Sequence, residues 1–89
     1  MKRVHLYISG VVQGVFYRQN TKEQAKKLGL NGWVKNLEDG RVEALVEGDK
    51  ENIDKLIKWC NQGPSSSRVD SVEVLEEDYK GEFNSFIIN

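Results

Sequence analysis

The sequence has little that would hold a protein together by anything other than packing. Its one cysteine, Cys60, excludes an intramolecular disulfide and a cysteine-built metal cage. A single proline and the lack of any low-complexity tract exclude collagen-like and linker-like chains. Apolar runs such as Val15-Phe16-Tyr17 and Phe86-Ile87-Ile88 are far shorter than the roughly 20 residues that cross a bilayer, so no membrane partner is expected. Charge of one sign is also missing. Thirteen basic and 14 acidic residues give a net charge of -1, which provides no field for gathering nucleic acid. Met1-Lys2-Arg3 has the basic character of an export signal, but alternating polar and apolar residues follow it where an apolar stretch is required. A cytoplasmic location is therefore expected.

What remains is an 89-residue chain, 38% hydrophobic and 30% charged, which is the composition of one small globular domain spanning residues 1–89. A folded monomer of this mass should expose about 5,300 Å2. Val4, Leu6 and Ile8 alternate with polar neighbours, the period of a half-buried strand. Tyr17, Thr21, Ala25 and Leu28 then recur at helical spacing, so a helix is predicted over 17–28, stopped by Gly29. A hairpin follows, with strands over 32–37 and 41–48 joined by Asp39-Gly40. In its second strand Val42, Ala44 and Val46 share a buried face, and Glu43 and Glu47 are expected on a wet one. Asp49 is placed to cap a second helix over 50–61, with Ile53, Leu56, Ile57 and Cys60 inward. After Gly63-Pro64 come a strand from Val69 and a last short strand that includes 83–88.

This order predicts an α+β, ferredoxin-like split βαβ sandwich: βαββαβ plus a short C-terminal strand, an antiparallel sheet with two helices on one face. The fold serves many functions, so chemistry has to be sought in a site. The informative segment is 10–18, where a turn with two glycines feeds a helix and aims several backbone N–H groups at one spot. Arg18 lies in the first helical turn, where the helix dipole disfavours a cation unless an anion sits nearby. Its guanidinium fork matches two phosphate oxygens. The segment is not a Walker loop, since Val15-Phe16 follows Gly14, and Gly10 and Gly14 lack the dinucleotide-binding spacing. Val12 stands where a cysteine-dependent phosphatase needs its thiolate. By residues alone, both an anion site and a plain glycine turn beside an exposed arginine stay open.

Gly10-Val11-Val12-Gln13-Gly14-Val15-Phe16-Tyr17-Arg18 resembles the first signature of the acylphosphatase family, Gly-x-Val-Gln-Gly-Val-x-aromatic-Arg. Gly32-Trp33-Val34-Lys35-Asn36, followed by Gly40-x-Val42 and Gly48, resembles the second, and the likeness spans nearly the whole chain. Tyr17 stands where many members carry phenylalanine or methionine. The resemblance implies hydrolysis of carboxyl phosphates such as acetyl phosphate, benzoyl phosphate or 1,3-bisphosphoglycerate to a carboxylate and inorganic phosphate, without metal or cofactor. Phosphate is then both product and inhibitor, and a monomer is expected. It also implies that Arg18 and the backbone amides of Val12, Gln13, Gly14, Val15, Phe16 and Tyr17 hold the phosphoryl group, with Asn36 orienting the attacking water. The alternatives are a non-catalytic or carbamoyl-phosphate-handling phosphate-binding module and, more remotely, an RNA-binding domain with Tyr7 and Trp33 as stacking platforms. The lack of any aromatic residue over 41–47, together with its glutamates, argues against RNA. His5 is expected to be a solvated sheet residue, Cys60 core, the helical lysines solvated faces and Glu76-Glu77-Asp78 a wet strand end.

Overall fold

A computed structural model describes residues 1–89 in the order β1 (Lys2–Val11), α1 (Tyr17–Lys27), β2 (Asn31–Asn36), β3 (Val42–Gly48), α2 (Lys50–Gln62), β4 (Arg68–Glu77) and β5 (Phe86–Ile88). The strands form one sheet in the order β4-β1-β3-β2-β5. Pairings β1–β3, β1–β4 and β2–β3 are antiparallel, as the split βαβ pattern requires, but β5 runs parallel to β2. The sheet is thus mixed, where an antiparallel one was expected. The cause is connectivity: β4 ends beside Arg3, at the end of the sheet where β3 finishes and β2 begins. A chain crossing from there to the free edge of β2 must start its strand alongside the start of β2. No helix is long and apolar enough to cross a membrane.

The core lies between the helices and one sheet face. Val4, Leu6 and Ile8 of β1 meet Val42, Ala44 and Val46 of β3 and Val34 of β2 under Tyr17 and Ala25 of α1 and Ile53, Leu56 and Cys60 of α2. The exposed area of 5171 Å2 agrees with that expected for a chain of this mass. α1 ends in a Schellman arrangement: Gly29 N–H donates to Lys26 O (3.1 Å) and Leu30 N–H to Ala25 O (2.9 Å), with Gly29 left-handed at φ 66°. The predicted cap of α2 differs in detail. Asp49 is at the N-cap in extended conformation, but its side chain makes no capping bond, and its carbonyl instead accepts the Ile53 N–H at 2.9 Å.

The opposite sheet face departs from the alternating pattern. Glu43 and Glu47, expected to be wet, are 9% and 3% exposed. The segment 78–85 crosses this face on its way to β5, and Glu47 accepts the N–H groups of Lys80 (2.9 Å), Gly81 (3.1 Å) and Glu82 (3.2 Å). Arg3, itself buried, bridges Glu47 (3.3 Å), Glu77 (3.0 Å) and Glu82. Burial alone would raise the Glu47 pKa, but these donors outweigh it and hold the carboxyl below its ordinary range. His5 is likewise not a free surface residue: Glu77 meets its Nδ1 at 2.9 Å and Glu43 its Nε2 at 2.5 Å. Glu76, Glu77 and Asp78 are exposed, as expected of a wet strand end, and Glu77 in addition ties β4 to β1.

Candidate active site

The β1–α1 loop starts from a bulge. The β1–β4 register shifts between Ser9 and Gly10, and a Cβ at Gly10 would lie 2.1 Å from Arg68 O, so only glycine lets the strands approach there. Val12 is buried and fixes the base of the loop. Three anchors hold the rest. The Gln13 side-chain amide donates to Leu37 O (2.7 Å) and Arg41 O (2.9 Å), tying the loop to the β2–β3 turn. Ser66 Oγ donates to Val15 O at 2.9 Å. Tyr17, 1% exposed, packs its ring on Trp59 and donates its hydroxyl to Cys60 O at 2.7 Å, fastening the start of α1 to α2.

Anchored in this way, the loop leaves its donors free. The N–H groups of Val12 to Phe16 have no hydrogen-bond acceptor in the protein, and α1 has neither a capping side chain nor an acidic residue in its first turn. Unsatisfied N–H groups at a helix N-terminus carry partial positive charge. Phe16, which precedes the helix, is left-handed at φ 63°, ψ 22° and 76% exposed. The chain has four arginines. Arg3, Arg41 and Arg68 each pair with a carboxylate, whereas Arg18 pairs with none. An open cleft of about 330 Å3 runs past it, lined by Arg18 together with Val12, Gly14, Phe16, Tyr17, Gln19 and Ile88.

Asn36 ends β2 on the same sheet face as buried Val34, opposite Val42. Its Oδ1 is buried and without a partner, a costly state that favours an incoming donor. The Gln13 amide bonded to Leu37 O, the next carbonyl along, brings this end of β2 beside the loop. The structure therefore gathers Val12, Gly14, Phe16, Tyr17 and Arg18 around the cleft. Gln13 and Val15 sit in the same loop, Gln13 with its side-chain amide on the β2–β3 turn and Val15 with its side chain against the core. The Tyr17 ring belongs to the core, packed on Trp59. Gln19 and Ile88 line the cleft without having been singled out in the sequence. Ile88 carries no local signal, because the parallel docking of β5 brings it there. Cys60 is fully buried and its thiol is pushed up by burial to about 12, which suits a core residue and not a nucleophile.

A ferredoxin-like α+β layer carrying a rigid loop of free N–H groups and an unpaired arginine is a domain suited to a tetrahedral anion. Comparison with known proteins makes the class specific. A family model described as acylphosphatase matches residues 4–88. An acylphosphatase of Rubrobacter xylanophilus is 53% identical over 85 residues, which cover 96% of this chain and 77% of that protein. One of Syntrophus aciditrophicus is 52% identical over 88 residues, covering 99% of this chain and 92% of its relative. The crystal structure of acylphosphatase from Bacillus subtilis superimposes with a TM-score of 0.96 at 34% identity, covering 100% of this chain and 99% of that one. This chain belongs to the acylphosphatase family.

Proposed function

We propose that this chain, a hydrolase of the acylphosphatase family, cleaves the carboxyl-phosphate bond of acyl phosphates at the β1–α1 loop. The observation that carries the site assignment is the pairing of five acceptor-free N–H groups, Val12 to Phe16, with the one arginine of the chain that has no carboxylate. Three phosphoryl oxygens require several donors converging on one spot and a positive charge, and the loop supplies both. In this reading the water oxygen attacks phosphorus while the bond from phosphorus to the acyl oxygen breaks. The carboxylate leaves with the electron pair. The proton of the water passes to the phosphoryl oxygens as inorganic phosphate forms.

A carboxylate is a weak base, so its departure needs no general acid, and none is present among the cleft residues. The Asn36 Oδ1 accepts a hydrogen bond from the water and orients it, which is positioning and not proton abstraction. Arg18 and the loop amides stabilise the charge that spreads over the equatorial oxygens in the transition state. Inorganic phosphate, which keeps the contacts of the transferred group, inhibits as product, and the domain acts as a monomer. The test is loss of acetyl phosphate or benzoyl phosphate in buffer containing EDTA, with wild type and Arg18→Ala side by side. Rapid loss with wild type alone is expected. A folded wild type that hydrolyses neither compound leaves a phosphate-binding module in place of an enzyme.

A further inference from the structure

We infer that Ser66, in the turn after α2, is a positioning residue of the phosphoryl site: its hydroxyl holds the Val15–Phe16 peptide with the N–H turned toward the phosphoryl group. The inference rests on the hydrolase reading above and adds a residue to its machinery. Ser66 Oγ donates to Val15 O at 2.9 Å, and that carbonyl has no other donor. In a trans peptide the C=O and the N–H point to opposite sides. None of residues 63–67 lines the cleft. A Val15 carbonyl turned toward them therefore leaves the Phe16 N–H, itself without an acceptor, on the other side of the loop.

The backbone alone disfavours this orientation. Phe16 is left-handed at φ 63°, a conformation that a bulky side chain adopts only when its surroundings impose it. Flipping the Val15–Phe16 peptide returns φ of Phe16 to negative values and relieves the strain. The flip also puts the Val15 carbonyl where the N–H stood, and an oxygen there repels the phosphoryl oxygens. The Phe16 ring, 76% exposed, has little packing to resist it. Beyond that peptide the chain is fixed, because Phe16 O accepts the Asn20 N–H (3.1 Å) and the Asn20 side-chain amide (2.8 Å). The turn carrying Ser66 is fixed as well. Ser67 donates to Pro64 O from its N–H (2.9 Å) and its hydroxyl (2.7 Å), and the Gly63 N–H donates to Trp59 O (2.7 Å). The hydroxyl of Ser66 thus joins a rigid turn to the one peptide of the cradle that strain would turn over.

The experiment compares wild type, Ser66→Ala and Ser66→Thr in two ways: kcat/KM for acetyl phosphate, and titration with inorganic phosphate followed at the Phe16 amide by NMR. Phosphate should shift the Phe16 amide proton of the wild type downfield as its N–H gains an acceptor. In Ser66→Ala, kcat/KM and phosphate affinity should each fall about five- to tenfold, the change in population that one such hydrogen bond sets, and the amide shift should shrink. Threonine keeps the hydroxyl donor and should restore all three. Urea unfolding should be nearly the same for the three proteins, since the bond lies at the surface. Wild-type affinity and an undiminished Phe16 shift in Ser66→Ala overturn the inference. So does Ser66→Thr behaving as Ser66→Ala does, because the hydroxyl is then not what acts. Wild type that binds phosphate but hydrolyses no acyl phosphate removes the hydrolase reading, while the titration still decides the role of Ser66.

Discussion

Both ends of α1 pass through the left-handed region, at φ 63° on Phe16 and φ 66° on Gly29, yet they are built to opposite standards. At the C-terminal end the residue is glycine, the last carbonyls are capped by Gly29 and Leu30, and Lys26 and Lys27 match the negative end of the dipole. At the N-terminal end the residue is a phenylalanine, no side chain caps the helix, the first turn holds no acid and Arg18 sits against the dipole. A left-handed L-residue costs roughly 1–2 kcal/mol and a misplaced charge adds about 0.3–1. On the function proposed above, the difference separates an end optimised for folding from one held ready for an anion. Each deficit at the N-terminus is a donor or a charge that a phosphoryl group would satisfy.

The comparison breaks most sharply at Arg18. Arg18→Ala is expected to lower turnover about a hundred- to a thousandfold, as loss of one strong transition-state donor does. Stability should stay within about 0.5 kcal/mol, because the side chain has no ion pair to lose. Phosphate at about 100 times its Kd should stabilise the wild type by about 2.7 kcal/mol in thermal unfolding. Most of that shift should vanish in the variant. Wild-type turnover in Arg18→Ala would show that the N-terminal deficits have no catalytic meaning.

Asn36→Ala should come next, with turnover reduced about a hundredfold through misplaced water and phosphate inhibition nearly kept. Kinetics with phosphate as inhibitor separate the two roles. If inhibition weakens in step with turnover, the orphan Oδ1 serves the anion site and not the water. Gln13→Ala tests whether the loop's readiness depends on its anchor. It removes two hydrogen bonds to Leu37 O and Arg41 O, and should lower stability by about 1–2 kcal/mol and raise KM. Urea unfolding and initial rates decide it, and an unchanged KM would assign the rigidity of the loop to Ser66 and Tyr17.

The helix-facing half of the molecule was legible in the sequence because its signals are local. The alternation of Val4, Leu6 and Ile8, the stripe Tyr17, Thr21 and Ala25, and the stop at Gly29 each fix an element within one turn or strand. The uncapped start of α1 and the arginine set against its dipole were legible from residues 10–18. Hidden features depend on chain crossings. Glu43 and Glu47 carry the pattern of a wet face, but the passage of 78–85, set by where β4 ends, covers Glu47, and Glu43 is held between His5 and Lys35. The same crossing turns β5 parallel and delivers Ile88 to the cleft. Gly10 illustrates a signal read for one reason and present for another: it admits Arg68 O at a strand bulge, apart from any ligand.

Gly29→Ala supplies the smallest effect and isolates conformation from contact. A Cβ at Gly29 meets nothing within 4 Å, so the substitution should cost only the left-handed preference, about 1 kcal/mol, with turnover unaltered. Phe16→Gly reverses the exchange at the other end of the same helix. Its ring is exposed, so relief of the left-handed backbone should offset the added freedom of the unfolded chain and leave stability unchanged or up to about 1 kcal/mol higher. Chemical denaturation against wild type shows only Gly29→Ala destabilised if the ends differ as argued. Destabilisation of Phe16→Gly by as much as Gly29→Ala would mean that the phenylalanine contributes packing, and that the N-terminal end of α1 is held for the fold and not for the anion.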